Sequence, residues 1–285
     1  MQLNEAFDLY RELVLSTSTV RAQKTELGRW KIHLQPLLGE RELDTINAQN
    51  ILRLEAELRK KNLAPQTIYH CLSLLRRVLN RAVEWELYAG PVPKIRMPKF
   101  NNKRVRFLSK AEAKQLLEEL NKLSPLWHDI ALFALNTGLR RGEILALTPA
   151  QIDLNTDQCH MLDSKTFQGR AIPLNAQAKI LVLKHMDENP SNPIFKAHTG
   201  PVNPHARFFR QAVNACGLNA GITDRRAKIC FHSLRHTFAS WLVQSGVRLQ
   251  IVSQLLGHAD LKMTLRYAHL APDASRQAVD NLSLS

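Results

Sequence analysis

The chain contains no run of about 18 apolar residues and no apolar stretch near its N-terminus of the kind that directs secretion, so neither a membrane span nor export is suggested. Cysteine is sparse. Cys71, Cys159, Cys216 and Cys230 form no C-x-x-C pair, which argues against a zinc site and fits reduced thiols in a cytosolic protein. No long internal repeat and no low-complexity segment occurs. Acidic residues are also in short supply, 25 Asp and Glu against 39 Lys and Arg, which leaves a net charge of +14. That balance favours an anionic partner, nucleic acid first. The excess is not confined to a tail: 19 basic and 11 acidic residues stand in the chain through Arg106, and 20 and 14 follow it. A partner touching both halves is therefore expected.

What is present is enough for ordinary cores. The 285 residues are 45% hydrophobic, which suggests two modest domains. The first ninety residues read as helices. Leu3, Phe7, Tyr10, Leu13 and Val14 form one apolar stripe at helical spacing. Thr19 is placed to cap a second helix that Gly39 ends, Asn47 a third, and Pro65 opens a fourth. The fourth should carry Ile68, Leu72, Leu75, Leu79 and Val83 inward, with Thr67, Arg76 and Arg77 on other faces. Between Gly90 and Arg106, prolines and basic residues replace periodic apolar ones, which reads as an extended linker. It would either follow a phosphate backbone, with Lys103 and Arg104 as contacts, or be a solvated strap. The expected division is therefore a helical domain over 1–90, a basic linker over 91–106, a second domain over 107–271 and a tail over 272–285.

The second domain opens with a capping box, Ser109 to Glu112. An almost wholly apolar helix from Trp127 to Asn136 follows and ends at Gly138, a residue suited to the left-handed conformation. Short strands are expected over Ile152–Leu154, Cys159–Leu162 and Arg170–Leu174, and helices near Ala176–Met186 and Pro204–Ala215. The fold class is thus mainly α with a small antiparallel sheet.

Polar residues of one chemical kind then gather in the last third. His232 and Arg235 are an i, i+3 pair, which puts both on one helix face. Gly257-His258 ends a helix, and Asp260 is placed to cap another carrying Met263, Thr264 and Tyr267. Upstream, Arg140 sits at a helix start behind a turning glycine, a good position for a phosphate, with Glu143 as its orienting ion-pair partner. Lys165 lies in the turn between the last two strands, where it is either solvated or able to enter a groove. No carboxylate pair with metal-ligand spacing joins these residues, so metal-assisted phosphoryl chemistry is not favoured. What remains is a tyrosine nucleophile acting on a phosphodiester among cations; the alternative for Tyr267 is a core tyrosine that caps a helix.

Five blocks together make a pattern. Thr137 to Glu143, then Lys165-Thr166 with Ile172-Pro173-Leu174, then His232 to Phe238, then Leu256-Gly257-His258, then Tyr267-Ala268-His269 resemble the tyrosine recombinase (phage integrase) family in order and spacing. The first domain resembles that family's SAM-like, core-binding helical domain, and the second its mixed α/β catalytic domain. The resemblance implies a C-shaped clamp around double-stranded DNA at specific recombination sites. Arg140, His232 and Arg235 would hold the scissile phosphate and Lys165 would protonate the leaving 5′ oxygen. His258 would hydrogen-bond the phosphate and help with proton handling, and Tyr267 would attack to leave a 3′-phosphotyrosine. It implies no cofactor and no metal. It also implies a homotetramer on DNA that passes through a Holliday junction, a monomer or weak oligomer when free, accessory DNA-bending proteins as further partners, no membrane, and a cytoplasmic, nucleoid-associated site of action in a prokaryote or phage. The segment from Ala274 to Leu284 would dock on a neighbouring protomer or pack back in cis. His236 and His269 are expected to have structural duties only. The family's extra N-terminal arm-binding domain would find no room before Gln2, which implies either a simple recombinase or a shortened chain. A DNA binder without catalysis and a type IB topoisomerase are the competing readings.

Overall fold

The structure is a computed structural model that describes residues 1–101, 106–162, 169–197, 202 and 206–272. The chain divides into two compact units, Met1–Asn102 and Lys103–Ser285. Among the described residues no helix is long and apolar enough to cross a membrane.

The first unit is all helical: α1 (Leu3–Leu13), α2 (Val20–Arg29), α3 (Gln35–Leu38), α4 (Ala48–Lys60) and α5 (Pro65–Glu84). The Thr19 side chain accepts from Ala22 N at the start of α2, and Asn47 accepts from Gln49 N and Asn50 N at the start of α4. Both satisfy amides that a helix start leaves unpaired. A π-helical turn over Trp30–Leu34 joins α2 to α3, so one helical run reaches Gly39. Trp30 stacks on Phe7 of α1 with ring centroids 4.0 Å apart. Helix α5 is the centre of this unit, buried through Ile68, Leu72, Leu75, Leu79 and Ala82.

Two positions depart from the expected stripes. Leu13 is 57% exposed and Val83 38%. Alternating steps of four and three carry the α5 stripe from Leu79 to Ala82, one residue short of Val83. At the end of α1 the chain tightens into a 3-10 turn, and Leu15, not Leu13, enters the core. The segment after Gly90 also differs from a solvated strap. Val92, Ile95 and Met97 pack against the first unit's core, and the Phe100 ring meets Tyr69 edge-on at 5.4 Å.

In the second unit, α6 (Lys110–Leu123) begins with the expected capping box, and α7 (Pro125–Thr137) is buried through Trp127, Ile130, Phe133 and Ala134. Helix α8 (Arg141–Leu145) leads to a three-stranded antiparallel sheet, β1 (Ile152–Asp153), β2 (Gln158–Leu162) and β3 (Gly169–Pro173), in the order β1-β2-β3. Cys159 faces Ile172 across β2 and β3. Then come α9 (Ala176–His185), α10 (Arg207–Ala215), α11 (Phe231–Gln244) and α12 (Leu249–Leu256). Helix α11 is buried on nearly every side from Ser233 to Ser240. Thr237 Oγ1 accepts from Leu108 N at 3.0 Å, and Trp241 Nε1 donates to Leu108 O at 3.0 Å. These bonds pin α11 to the residues that lead into α6.

The segment after Asp260 was expected to form a helix. It forms two short 3-10 turns instead, Leu261–Met263 and Leu265–Leu270. A period of three residues aligns side chains at i and i+3. It sends Thr264, Tyr267 and Leu270 inward together, with Thr264 fully buried and Tyr267 6% exposed. An α-helix would spread those three over a wider arc.

Candidate active site

Two glycines create the frame. Gly138 ends α7 at φ +65°, and a Cβ there would run into the Phe238 ring. Gly257 ends α12 at φ +61°, where a Cβ would lie 2.7 Å from Arg170 Nη1. Only a residue without a side chain turns the backbone this way at such close approach. Both turns leave helix-end carbonyls pointing at one place, and Arg235 occupies it. Its Nη1 donates to Gly138 O at 2.8 Å and its Nη2 donates to Leu256 O. The guanidinium is thus docked against the C-termini of two helices, whose partial negative charge suits a cation. The side chain comes from α11, and the residue is 4% exposed. Burial, followed by repulsion from Arg140, pushes its pKa down to about 9.

Arg140 is the N-cap of α8 and is more open, with a side chain 42% exposed. Its Nη1 meets Glu143 Oε1 at 2.8 Å, and its backbone N–H donates to Glu143 Oε2 at 2.7 Å. Arg170, on β3, donates to the same carboxylate at 2.9 Å. Burial opposes the charge on Glu143, but the Arg140 amide and the Arg170 guanidinium outweigh it and hold the carboxyl below its ordinary range. The expected orienting pair is therefore present, and Glu143 orients two arginines. Arg170 was not singled out in the sequence. Its partner lies 27 residues upstream, and no local pattern links them.

His258 follows Gly257, and its Nδ1 lies 2.8 Å from Thr264 Oγ1. Burial first, then the charges of Arg235, Arg140, Arg266 and Arg170, push its pKa down to about 4. It is neutral at pH 7. Tyr267 stands on the same run of 3-10 turns as Thr264, and burial pushes its pKa up to about 12 against the pull of Arg266 and Arg235. Its hydroxyl lies 2.5 Å from His236 Nδ1. His236 was expected to have a structural duty only, and the structure places it in direct contact with the tyrosine oxygen. His236 is i+4 from His232 and so shares its face of α11, but that spacing does not point to a tyrosine 31 residues away. The two rings meet edge-on at 4.8 Å. His232 itself is exposed, whereas its i+3 neighbour Arg235 is buried. His269 is exposed.

Arg140, Arg235, His258 and Tyr267 are therefore brought into one cluster, with His232 at its rim through His236. Lys165, Lys103 and Arg104 lie outside the described residues, as does the tail from 273 to 285. In the first unit Thr67 is half-buried on α5 and Arg76 is exposed. Arg77 is drawn to Glu26 at 2.6 Å while keeping 45% of its side chain exposed. Among the described residues no group of three or more His, Cys, Asp or Glu is placed to hold a metal ion.

Residues 106–273 match the phage integrase family, a span that takes in the whole cluster. The chain belongs to that family. Among curated relatives it is 37% identical over 215 residues to the integrase of Salmonella phage P22, covering 71% of this chain and 53% of that protein. It is 30% identical over 278 residues to tyrosine recombinase XerC of Alcanivorax borkumensis, covering 92% of this chain and 86% of the relative. The chain thus spans about half the length of the first relative and most of the second. Among solved structures it matches the Tn1549 transposon integrase in complex with a circular intermediate DNA. That match has a TM-score of 0.77 at 18% identity and covers 99% of this chain and all of the other. It also matches a lambda integrase tetramer bound to a Holliday junction, with a TM-score of 0.73 at 19% identity over 91% of this chain and 78% of the other. At such identities these two matches speak for the fold: this member of the phage integrase family has a tyrosine recombinase's mainly helical architecture with a small antiparallel sheet.

Proposed function

We propose that this chain cuts and rejoins double-stranded DNA at defined sites through a covalent 3′-phosphotyrosine intermediate. The observation that carries the reading is the buried Tyr267 hydroxyl in a cluster with Arg140, Arg170, Arg235 and Arg266, where among the described residues Glu143 is the carboxylate paired with Arg140 and Arg170. A phosphodiester supplies the missing negative charge, and preformed cations stabilise the extra charge that develops as a phosphorane forms.

The proposed roles join the positions of the described residues to the family resemblance, which alone supplies that of Lys165. Arg235, held rigidly by two carbonyls, and Arg140, open to solvent, grip the non-bridging oxygens, with His232 at the rim. His258, neutral and braced by Thr264, hydrogen-bonds the phosphate. Tyr267 attacks phosphorus, and Lys165 protonates the departing 5′ oxygen. The bond energy is kept in the phosphotyrosine, so the 5′-hydroxyl of a second strand reverses the step without a cofactor.

On DNA, four copies exchange two pairs of strands through a Holliday junction. The structural likeness to the junction-bound lambda integrase tetramer supports this. Thr67, Arg76, Arg77, Lys103 and Arg104 contribute phosphate contacts, helped by the net charge of +14. The proposed functional division is a helical domain over 1–90, a basic segment over 91–106 whose first part packs on that domain, a catalytic domain over 107–271 and a tail over 272–285, and the chain acts in the cytoplasm on bacterial or phage DNA.

A duplex carrying the target site and a nick beside the scissile bond tests the reading. Wild type should form a denaturant-resistant protein–DNA adduct and Tyr267→Phe should not. An adduct in the variant overturns the assignment. Relaxation of plasmids that lack any specific site would favour a topoisomerase instead.

A further inference from the structure

The roles above leave one proton unaccounted for. Tyr267 must lose its phenolic hydrogen as it attacks, and its pKa near 12 leaves only about one molecule in 10^5 ionised at pH 7. His258 is a poor acceptor, since Nδ1 is engaged with Thr264 and the surrounding arginines push its pKa down to about 4. Arg235 has no acceptor atom. Lys165, as the acid, must keep its proton for the leaving group, and His232, exposed at the rim, is given to the phosphate and lies where water competes for a proton.

We propose that His236 is the general base for Tyr267. Its Nδ1 lies 2.5 Å from the phenolic oxygen, within the reach proton transfer needs. The ring is 8% exposed, which keeps bulk water from competing for the proton. Helix α11 is buried around it, so the ring has a defined place. In this role Nδ1 is the unprotonated nitrogen, the tyrosine O–H donates to it and the ring proton sits on Nε2, the tautomer that the 2.5 Å contact accommodates. The charged and titratable groups near the pair are His232 on the same helix, and Tyr267 and Arg266 on the 3-10 turns opposite, with Arg235 next in sequence.

The step balances. The bond from Tyr267 Oη to phosphorus forms and the bond from phosphorus to O5′ breaks. The phenolic proton passes to His236 Nδ1, and the 5′ oxygen takes its proton from the acid. In rejoining, the 5′-hydroxyl gives its proton back to the Lys165 amine and attacks phosphorus, the bond to Tyr267 Oη breaks, and His236 returns the proton to the tyrosine.

The inference rests on the transesterification proposed above, and the test separates the two. Full-length wild type, His236→Asn, His236→Gln and Lys165→Ala are compared in single-turnover cleavage of the nicked duplex. One substrate is normal and one carries sulfur in place of the bridging 5′ oxygen. Asn puts an amide near the Nδ1 position and keeps a hydrogen bond, but it takes no proton. The thiolate leaves without protonation, so the sulfur substrate rescues loss of the acid and does nothing for loss of the base.

The expected result is a fall of about 100-fold or more for His236→Asn on both substrates, with a rate that climbs with pH where wild type levels off. Lys165→Ala should be restored on sulfur. If His236→Asn cleaves at the wild-type rate, or faster because the tyrosine has been released from a resting position, or is rescued by sulfur, the proposal is overturned. DNA affinity and thermal unfolding are read on each variant. Should Asn fail to fold, His236→Gln and the wild-type pH profile on both substrates decide: a wild-type rate on the sulfur substrate that ignores the titration of a single base is equally fatal. If wild type itself forms no adduct, it is the proposed function that fails.

Discussion

The seam between α7 and α9 buries a carboxylate among donors, whereas the seam between α11 and α12 buries a guanidinium among carbonyls. In the first, Asp129 is 3% exposed. It accepts from His128 Nδ1 at 2.8 Å, and from Lys184 Nζ and His185 Nε2 at 2.7 Å each. Burial works against its charge, but those three donors prevail and hold the carboxyl below its usual range. Every charge there has its opposite. In the second, Arg235 is kept by two peptide dipoles, no carboxylate among the described residues pairs with it, and its pKa is driven down. Buried polarity alone therefore does not mark a site. A compensated cluster joins two helices, and an uncompensated one is built to receive a charge it does not contain.

Exchanging the demands on the two clusters gives the largest expected effect. Arg235→Lys keeps the charge but loses the planar fork that reaches Gly138 O and Leu256 O together. Adduct formation on the nicked duplex should slow by roughly 10^2- to 10^3-fold, with DNA affinity nearly unchanged. Asp129→Asn should leave the cleavage rate of the folded protein close to wild type. A comparable loss of cleavage in both variants would break the comparison, because the α7–α9 seam would then be part of the catalytic apparatus.

The reverse asymmetry is smaller. Asp129→Asn removes the charge and one of the two acceptor oxygens that His128, His185 and Lys184 share, but Lys184, with a side chain 54% exposed, can turn to water. Denaturant unfolding should register a loss of about 2 kcal/mol. A change within experimental error would show that the donors are already solvated and that the compensation is only geometric.

The contrast also explains what could be read from the chain before folding. The caps at Thr19, Asn47 and Ser109 and the left-handed turns at Gly138 and Gly257 depend on a residue and its close neighbours, so local chemistry announces them. The two helix ends that hold Arg235 belong to the same class, which is why the blocks around Gly138 and Gly257 stood out. Arg170 and His236 did not stand out. Arg170 acts through Glu143, and His236 acts through a tyrosine 31 residues away. Both are tertiary contacts between residues whose own surroundings look like an ordinary strand and an ordinary helix. The 3-10 turns around Tyr267 were missed because the difference between periods of 3.0 and 3.6 is too small to see in ten residues. Asp129 gave no sign at all: a lone acid in an apolar helix shows its partners only once α9 is packed beside it.

Titration offers the finest division between the seams. Asp129 has a folded pKa below its unfolded value, so its contribution to stability is complete above about pH 3.9 and disappears as pH falls through the depressed folded value. His258 is depressed too, to about 4, but it starts from an unfolded value near 6.5. The unfolded chain therefore takes up that proton first, and stability declines as pH drops from about 6.5 toward 4. Between pH 6.5 and 5.5 the decline from this one group is about 1 kcal/mol. Unfolding free energies of the DNA-free protein measured across that unit of pH should show the slope in wild type and in Asp129→Asn alike, and His258→Asn should flatten it. Below pH 4 the order is reversed: Asp129→Asn loses the remaining acid limb and His258→Asn keeps it. If the slope above pH 5.5 survives in His258→Asn, the arginines around that imidazole are better screened than their burial implies, and the claim that the α11–α12 seam carries uncompensated positive charge loses its thermodynamic support.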